Sequence, residues 1–297
     1  MEPAPTVVAC YREFTPHLAL RGRVRALFSF GERATTIPAR RRIAWEARFG
    51  AEESACSPLF ADANSSMVFH LGTTYRTDGS WLPNADGVCG TVIGPMSHVD
   101  AAARAELPAM IGAYFEPAQA SAWTHVAASE LTNRIVDLSD LWGAAACDLS
   151  SELQELDEAG RIDRLESALL ERMDTRRDRR HVVDVPALAQ WIQRRRGRTT
   201  VEHLACAAGV SRQHLTRAFR EAVGISPKVY CRLARFHSSL AFARRGADVD
   251  WARVAVEMGY ADQSHMIAEF KEFSSLTPHR LAVERWFHPF IERALAL

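Results

Sequence analysis

The sequence predicts an α+β protein with a β-rich N-terminal domain and an all-α C-terminal domain. Short apolar runs separated by turn residues fill roughly the first 116 residues, a pattern typical of strands. From residue 183 onward, apolar residues recur at three- and four-residue spacing, which indicates helices. One helical pattern occurs there twice, offset by 50 to 51 residues. A chain of 297 residues is long enough to form two such domains.

The N-terminal domain is predicted to cover residues 1–175. Apolar residues alternate along Ile43–Phe49, and turn residues such as Asp78-Gly79 separate the apolar runs. These features predict a small antiparallel barrel or sandwich through about residue 116. Residues 117–175 are predicted to add flanking helices, the first beginning at Pro117.

The C-terminal domain is predicted to cover residues 183–297, after a basic and polar linker at residues 176–182. It contains the repeated pattern, which has the form of a helix, a tight turn and a second helix. A long helix is predicted between the two copies, with Pro227 in its first turn. The first helix-turn-helix is assigned to about 201–221, the connecting helix to about 227–244 and the second helix-turn-helix to about 251–273.

Each copy carries the residues that a helical hairpin needs. A glycine, Gly209 or Gly259, can adopt the positive φ of a short turn between helices. Ser211 or Asp262 follows and can cap the second helix by accepting from its free N–H groups. Two copies in register are a much more specific signal than one.

These residues resemble the DNA-binding domain of the AraC/XylS family of bacterial transcription regulators. The match covers about a third of the chain and rests on the following residues: Leu204-Ala205, Gly209, Ser211, Leu215, Phe219, Gly224-Ile225-Ser226-Pro227, Ala255, Gly259-Tyr260, Asp262-Gln263-Ser264, Phe270 and Thr277-Pro278. The upstream part of the chain is similar to the sensor-type N-terminal domain of one branch of the family, at the following residues: Phe69-His70-Leu71-Gly72, Gly94-Pro95, Tyr114-Phe115-Glu116-Pro117, and Leu131-Thr132 through Asp140-Leu141-Trp142-Gly143.

The formal net charge of zero conceals an uneven distribution of charge. Residues 176–245 contain 16 Arg and Lys against 4 Asp and Glu, whereas residues 246–297 contain 5 against 8. The basic segment coincides with the first helix-turn-helix, as expected for a surface that faces phosphates. Arginine-rich segments are often only solvated surfaces. This one overlaps the first helix-turn-helix, a motif that binds the major groove of DNA, so we interpret it as a DNA-binding surface.

The second helix of the first motif presents a polar face opposite its buried side chains. The resemblance implies that Gln213, Thr216 and Arg217 meet base edges, and these side chains can pair with adenine, a thymine methyl group and guanine respectively. The second motif has Ala268 where family members often carry Arg, so we expect most affinity and sequence reading from the first motif. The predicted DNA-binding residues are Arg212, Gln213, Thr216, Arg217, Arg220, Gln263, Ser264, His265 and Lys271.

Aromatic and titratable residues of the N-terminal domain are candidates for an effector pocket. The alternative is a well-packed β core with satisfied histidines, because the sequence cannot show that these side chains converge. The candidates are Trp45, Phe69, His70, Trp123 and His125.

Several functional classes are disfavoured by what the sequence lacks. There is no P-loop, GxGxxG, GxSxG or HExxH motif, so we expect no enzyme and no cofactor. The six cysteines show no metal-ligand spacing, so no metal site is predicted and free thiols in a reduced cytoplasmic protein are expected. No apolar run approaches the roughly 20 residues that span a bilayer, so no membrane partner is expected.

The predicted function is sequence-specific DNA binding by a transcriptional regulator, with two recognition helices in successive major grooves. The expected partner is double-stranded DNA. The N-terminal domain would gate binding through a small-molecule effector, a protein partner or homodimerisation, and the second motif could instead face RNA polymerase. An alternative is a protein-interaction adaptor with weak or vestigial DNA binding. The excess of acidic over basic residues in residues 246–297 is consistent with this alternative.

Overall fold

The structure is a computed structural model that describes residues 7–31, 43–50, 56–58, 61–71, 89–99, 104–106, 109–173, 182–243 and 249–283. Most of the predicted linker, the turn at Asp78-Gly79 and the C-terminal residues 284–297 lie outside the described residues.

The N-terminal half is built on an antiparallel sheet of seven strands in the order β3-β1-β2-β8-β5-β6-β9, with β4 and β7 paired separately. Within the described residues, the strands pair in antiparallel fashion. The strands are β1 Val7–Phe14, β2 Val24–Gly31, β3 Ile43–Gly50, β4 Cys56–Pro58, β5 Ser66–His70, β6 Thr91–Ile93, β7 Arg104–Glu106, β8 Met110–Phe115 and β9 Ile135–Asp137.

The α+β class is confirmed, because helices follow this sheet and fill the C-terminal half. Within the described part of the chain, no pairing joins the outer strands β3 and β9, so this sheet is open between them. Strand β9 lies in the segment that the sequence predicts as helical, and its three residues are too few for an alternating pattern to stand out.

Five helices follow β8, with β9 lying between the second and the third: α1 Ser121–Thr124, α2 Ala128–Leu131, α3 Ser139–Trp142, α4 Ala144–Glu155 and α5 Glu158–Arg172. Helices α3 and α4 are separate, because Gly143 has φ of +63° and ψ of −148° and interrupts the helical path between them. The helices pack their apolar faces against one side of the sheet. The resulting core includes Leu27, Phe69 and Trp123.

Helix α5 is held to the sheet by carboxylates as well as by apolar packing. Glu158 accepts from the Arg12 guanidinium at 2.6 Å and from the Ser29 hydroxyl. Farther along the helix, Glu166 accepts from the backbone N–H of His17 at 2.6 Å. The largely buried Arg12 is therefore compensated by a charged partner, as a buried cation requires.

The C-terminal half consists of helices α6 to α12 around a second core that contains Leu215, Phe219, Phe236 and Phe270. The helix between the two motifs has Pro227 at its first position, where the missing N–H of proline costs no hydrogen bond. The helices are α6 Val185–Arg194, α7 Val201–Ala207, α8 Arg212–Val223, α9 Pro227–Ala243, α10 Trp251–Met258, α11 Gln263–Ser274 and α12 Pro278–Val283.

A short segment of the N-terminal half enters this second core. Ala61 and Ala63 are buried in the same cluster as the C-terminal helices. The backbone N–H of Ala61 donates to the Phe273 carbonyl at 2.9 Å, and the His237 ring contacts the Ala61 carbonyl at 2.9 Å. The two halves are thus joined by packed contacts, which the sequence did not predict.

The structure corrects the expectation that all the cysteines are free thiols. Cys89 and Cys147 form a disulfide between residues 58 positions apart, with their Cα atoms 4.5 Å from each other. Cys89 lies just before β6 and Cys147 lies in α4. Sequence spacing gave no signal because the fold, rather than a local motif, brings the two side chains together. Within the described part of the chain, Cys206 and Cys231 lie outside this disulfide as free thiols.

Candidate nucleic-acid interface

The first helix-turn-helix consists of α7 and α8. Hydrogen bonds in the turn and at the start of α8 hold the two helices in place. Gly209 has φ of +65° in the turn, and the N–H of Val210 donates to the Ala205 carbonyl at 3.0 Å. The Ser211 hydroxyl accepts from the backbone N–H of His214 at 3.2 Å and caps α8. Leu215 and Phe219, four residues apart, are fully buried, which fixes the opposite side of α8 towards solvent.

The outward side of α8 carries the polar residues predicted to meet DNA. Gln213 and Arg217 are exposed, as are Arg212 and Arg220, and Thr216 is partly exposed. All five line one open cleft of about 790 Å³. Arg212 is already engaged on the surface, since its guanidinium donates to Glu202 at 2.8 Å. Because both side chains are more than 60% exposed, this ion pair is weak and Arg212 can exchange it for a phosphate.

The second helix-turn-helix has the same architecture with a different surface. Asp262 caps α11 by accepting from the backbone N–H of His265 at 2.8 Å, and Gly259 has φ of +77° in the turn. Gln263, Ser264, His265 and Lys271 are all exposed.

The His265 ring is turned back onto its own motif. Its Nδ1 accepts from the backbone N–H of Ala261 at 3.3 Å, so Nε2 carries the hydrogen and lies 3.3 Å from Glu269. Glu269 is buried and also accepts from the Arg232 guanidinium at 2.7 Å. Hydrogen bonding to Glu272 and Glu269 raises the pKa of Arg232 above its usual value. Arg232, which reaches this motif from α9, is therefore neutralised by carboxylates.

Comparisons with known proteins agree with this geometry. Residues 204–282 match the family model described as a helix-turn-helix domain, which spans both motifs. The matched residues carry an AraC-type helix-turn-helix domain. The resemblance seen in the sequence is therefore confirmed. Residues 12–137 match a second family, described as a domain of unknown function (DUF6597).

One curated relative matches part of the chain. An uncharacterized HTH-type transcriptional regulator of Haemophilus influenzae is 29% identical over 92 residues, which are 31% of this chain and 30% of that protein. The chain thus matches less than a third of the length of this curated relative.

Two solved structures are similar at low identity. The C-terminal domain of AraT, a response regulator from Geobacillus stearothermophilus, is 21% identical and covers 35% of this chain and 88% of its own, with a TM-score of 0.32. ToxT from Vibrio cholerae is 11% identical and covers 76% of this chain and 91% of its own, with a TM-score of 0.38.

The N-terminal half of the molecule reaches the first motif of the AraC-type domain. Helix α2 packs against α8, and Ser129 lines the same cleft as the predicted DNA-binding residues. The Thr132 hydroxyl donates to the Gly224 carbonyl at 2.8 Å, where α8 ends. Sequence reasoning missed Ser129, because nothing local in the chain connects it to a helix more than 80 residues away.

The five candidates for an effector pocket lie in different surroundings. Phe69 and Trp123 are fully buried in one core, where the Trp123 indole donates to the Leu169 carbonyl at 2.8 Å. His70 ends β5, and burial lowers its pKa. His125 is exposed at the end of α1. Trp45 stands opposite Glu13 in the β1–β3 register, and its side chain lies outside the described residues.

A cavity of about 190 Å³ lies instead between the two halves of the molecule. The Gln193 amide donates to the Tyr230 hydroxyl at 2.8 Å on its C-terminal side. On the N-terminal side, the Asn64 amide donates to Asp62 at 2.8 Å, while the buried amide oxygen of Asn64 has no hydrogen-bond partner. The lining residues that carry polar groups are Arg25, Asp62, Asn64, Gln193, Tyr230, His237 and Ser238.

Two further observations concern the described residues only. They contain no cluster of three or more His, Cys, Asp or Glu side chains arranged to hold a metal ion. None of the helices in that part of the chain combines the length and apolar character needed to cross a membrane.

Proposed function

We propose that this protein is a transcriptional regulator that binds double-stranded DNA through its AraC-type domain. The observation that carries the proposal is the outward face of α8, where Gln213, Thr216 and Arg217 line one open cleft at the surface. A capped helix with exposed glutamine and arginine beside threonine suits the major groove, because these side chains can read base edges there.

The two motifs are proposed to contribute unequally. Arg217 and Arg220 are exposed on α8, whereas the second motif offers Lys271 as its exposed cation on α11 and has Ala268 at an exposed position. Arg232 is engaged with Glu269 and Glu272. We therefore assign most of the affinity to the first motif, and propose that Gln263, Ser264 and His265 add weaker contacts.

A binding titration over a range of salt concentrations tests the proposal. The full chain is mixed with a pool of random-sequence duplexes, bound molecules are selected, and the enriched sequence is then titrated. We expect a sequence preference together with an affinity that falls steeply as salt rises, since phosphate contacts release counterions. A chain that behaves as an adaptor would show no enriched sequence and only a weak, uniform affinity.

The N-terminal half is proposed to gate this activity in response to a small effector. The cavity between the halves combines Asp62 and Arg25 with the unpartnered amide oxygen of Asn64, a set of groups that suits a small polar molecule. Arg25→Ala should abolish any effector-dependent change in DNA affinity without altering the affinity of the effector-free protein. Polymerase contact, homodimerisation and a cytoplasmic location are further parts of the proposal that the same regulator role implies.

A further inference from the structure

Two segments of the N-terminal half, here called the docking segments, contact the ends of both recognition helices. They are residues 94–99 and 128–134. Thr132 donates to the Gly224 carbonyl at the end of α8, as described above. At the end of α11, the Ser275 hydroxyl donates to the Val99 carbonyl at 3.2 Å. One structural unit therefore contacts both DNA-reading helices of the molecule.

The docking segments are held together by direct hydrogen bonds. The backbone N–H of Asn133 donates to the Pro95 carbonyl at 2.8 Å, and that of Gly94 donates to the Arg134 carbonyl at 3.0 Å. The Asn133 side chain adds contacts to Ser97. Strands β6 and β9, which adjoin the two segments, pair along Thr91–Ile93. The docking segments should therefore move as one body.

The disulfide closes the stretch of chain that contains this body. Cys89 precedes β6 by two residues and Cys147 follows β9 within α4, so both docking segments lie inside the loop of 58 residues. Near Cys89, the Gly90 carbonyl accepts from the backbone N–H of Leu138 at 2.8 Å. A covalent link at this position restrains β6 and α4 together and limits how far the docking segments can move.

We propose that Cys89 and Cys147 are a reversible thiol–disulfide pair that controls the docking of α2 on the first recognition helix. The inference rests on the proposed function as a DNA-binding regulator. A protein that reaches DNA in a reducing compartment would not keep a purely structural disulfide, and disulfides found in such compartments are usually redox-sensing. Because Cys147 is partly exposed while Cys89 is 9% exposed, Cys147 is the cysteine that a reagent meets first.

The co-reactant is a low-molecular-weight disulfide, and the reaction is thiol–disulfide exchange. The Cys147 thiolate attacks one sulfur of this disulfide, forming a mixed disulfide and releasing one small thiolate. The Cys89 thiolate then attacks the Cys147 sulfur, forming the Cys89–Cys147 bond and releasing the second small thiolate. The two protons lost by the protein thiols pass to the released thiolates, and the small disulfide is reduced as the protein pair is oxidised.

The oxidised form is the form with lower DNA affinity. In the disulfide-bonded structure, Ser129 lines the cleft that exposes Gln213 and Arg217, so docked α2 occupies part of the space that a duplex must enter. Reduction removes the covalent restraint on the docking segments and allows α2 to withdraw. Cys231 does not explain such a response equally well, because it is buried and burial raises the pKa of its thiol to about 11.

The test compares reduced and oxidised protein in two independent measurements. The reference protein is the full chain with Cys206→Ser and Cys56→Ser, because Cys206 is exposed and the Cys56 side chain lies outside the described residues. It is equilibrated with reduced or oxidised glutathione, and the fraction of Cys89–Cys147 disulfide is measured by mass spectrometry. Hydrogen exchange then reports on the docking segments, and fluorescence anisotropy reports on binding to a mixed-sequence duplex of about 30 base pairs, roughly three helical turns.

Reduction should speed exchange in residues 94–99 and 128–134 and should tighten DNA binding by about fivefold or more, the usual range of allosteric coupling. Cys147→Ser in the reference protein should match the reduced form in both buffers. Equal exchange and equal affinity in the two buffers would overturn the inference while leaving the proposed DNA binding intact. Redox-dependent exchange without any DNA binding would support the thiol switch and overturn the proposed function instead.

Discussion

At the scale of single residues, the side chains that stabilise α8 are different from those that can reach DNA. Leu215 and Phe219 are fully buried, and Ser211 is committed to the cap. Arg217 is exposed on the opposite side of the helix. Replacing it should therefore affect binding far more than folding.

We expect Arg217→Ala to weaken binding to the selected DNA by about 1–3 kcal/mol, the usual cost of losing a bidentate contact to guanine. Gln263→Ala should cost less, because the second motif carries less positive charge. Arg194→Ala, an exposed arginine of α6 outside the cleft, serves as the control for general loss of charge. Equal losses for Arg217→Ala and Gln263→Ala in the same titration would remove the proposed asymmetry.

Gly224 is a residue at which both backbone shape and space exclude a side chain. Its φ is +89°, and an added Cβ would lie 2.5 Å from Pro95 and 2.8 Å from the Ala128 carbonyl. Gly209 offers a matched comparison, because its φ is +65° but an added Cβ would meet nothing within 4 Å. The two glycines differ in crowding rather than in the sign of φ.

Gly209→Ala should lower the free energy of unfolding by about 1–2 kcal/mol, the cost of a left-handed conformation for a residue with a Cβ. Gly224→Ala should lower it by roughly 1 kcal/mol more, because neighbouring atoms of the N-terminal half must shift to make room. Chemical denaturation of both variants measures the difference. If both lose the same stability, the close contact between α8 and the docking segments does not exist in solution.

At the scale of elements, ion pairs hold the connecting helix α9 against the second recognition helix, α11. Arg232 donates to the buried Glu269 at 2.7 Å and to Glu272 at 3.0 Å, and its guanidinium lies 4.9 Å from the centre of the Phe273 ring. These contacts join the middle of α9 to one face of α11. The orientation of the second motif therefore depends on a partly buried ion pair.

Arg232→Ala should destabilise the protein by about 3 kcal/mol, because it leaves the Glu269 carboxylate buried without its main partner. The double variant Arg232→Met with Glu269→Leu should recover much of this loss, since it removes both charges and fills the space with apolar groups. Thermal and chemical unfolding of the single and double variants provide the comparison. A double variant as unstable as the single variant would show that packing, rather than the unpaired charge, dominates.

Sequence reasoning predicted the helical hairpins well because their signals are local. Gly209, Ser211 and the buried pair Leu215 and Phe219 lie within a few residues of one another, so spacing alone predicts the turn, the cap and the inward face. The contact of Thr132 with Gly224 joins residues 92 positions apart, and no periodic pattern encodes such a distance. The Cys89–Cys147 disulfide escaped prediction for the same reason.

At the scale of the whole molecule, a partly buried histidine contributes to the contact between the halves. His237 on α9 contacts the Ala61 carbonyl at 2.9 Å, and a carbonyl can only accept, so the histidine Nε2 donates. Burial lowers the pKa of His237, while Asp62 and the bond to Ala61 oppose this shift and Arg25 adds to it. The neutral ring is therefore the form that the junction between the halves favours.

This lowered pKa predicts that the junction weakens in acid. The unfolded chain binds a proton at His237 near the ordinary pKa of about 6.5, whereas the folded chain resists protonation until a lower pH. Stability from this group is therefore fully present above about pH 6.5 and is lost as the pH falls below it.

His237→Gln keeps a donor for the Ala61 carbonyl but cannot titrate, so its free energy of unfolding should fall less between pH 7 and roughly pH 5 than that of the wild type. His70 also has a pKa lowered by burial and remains in both proteins, so the difference between the two pH profiles isolates His237. Parallel profiles from denaturation at each pH would show that the junction does not depend on the charge of this ring.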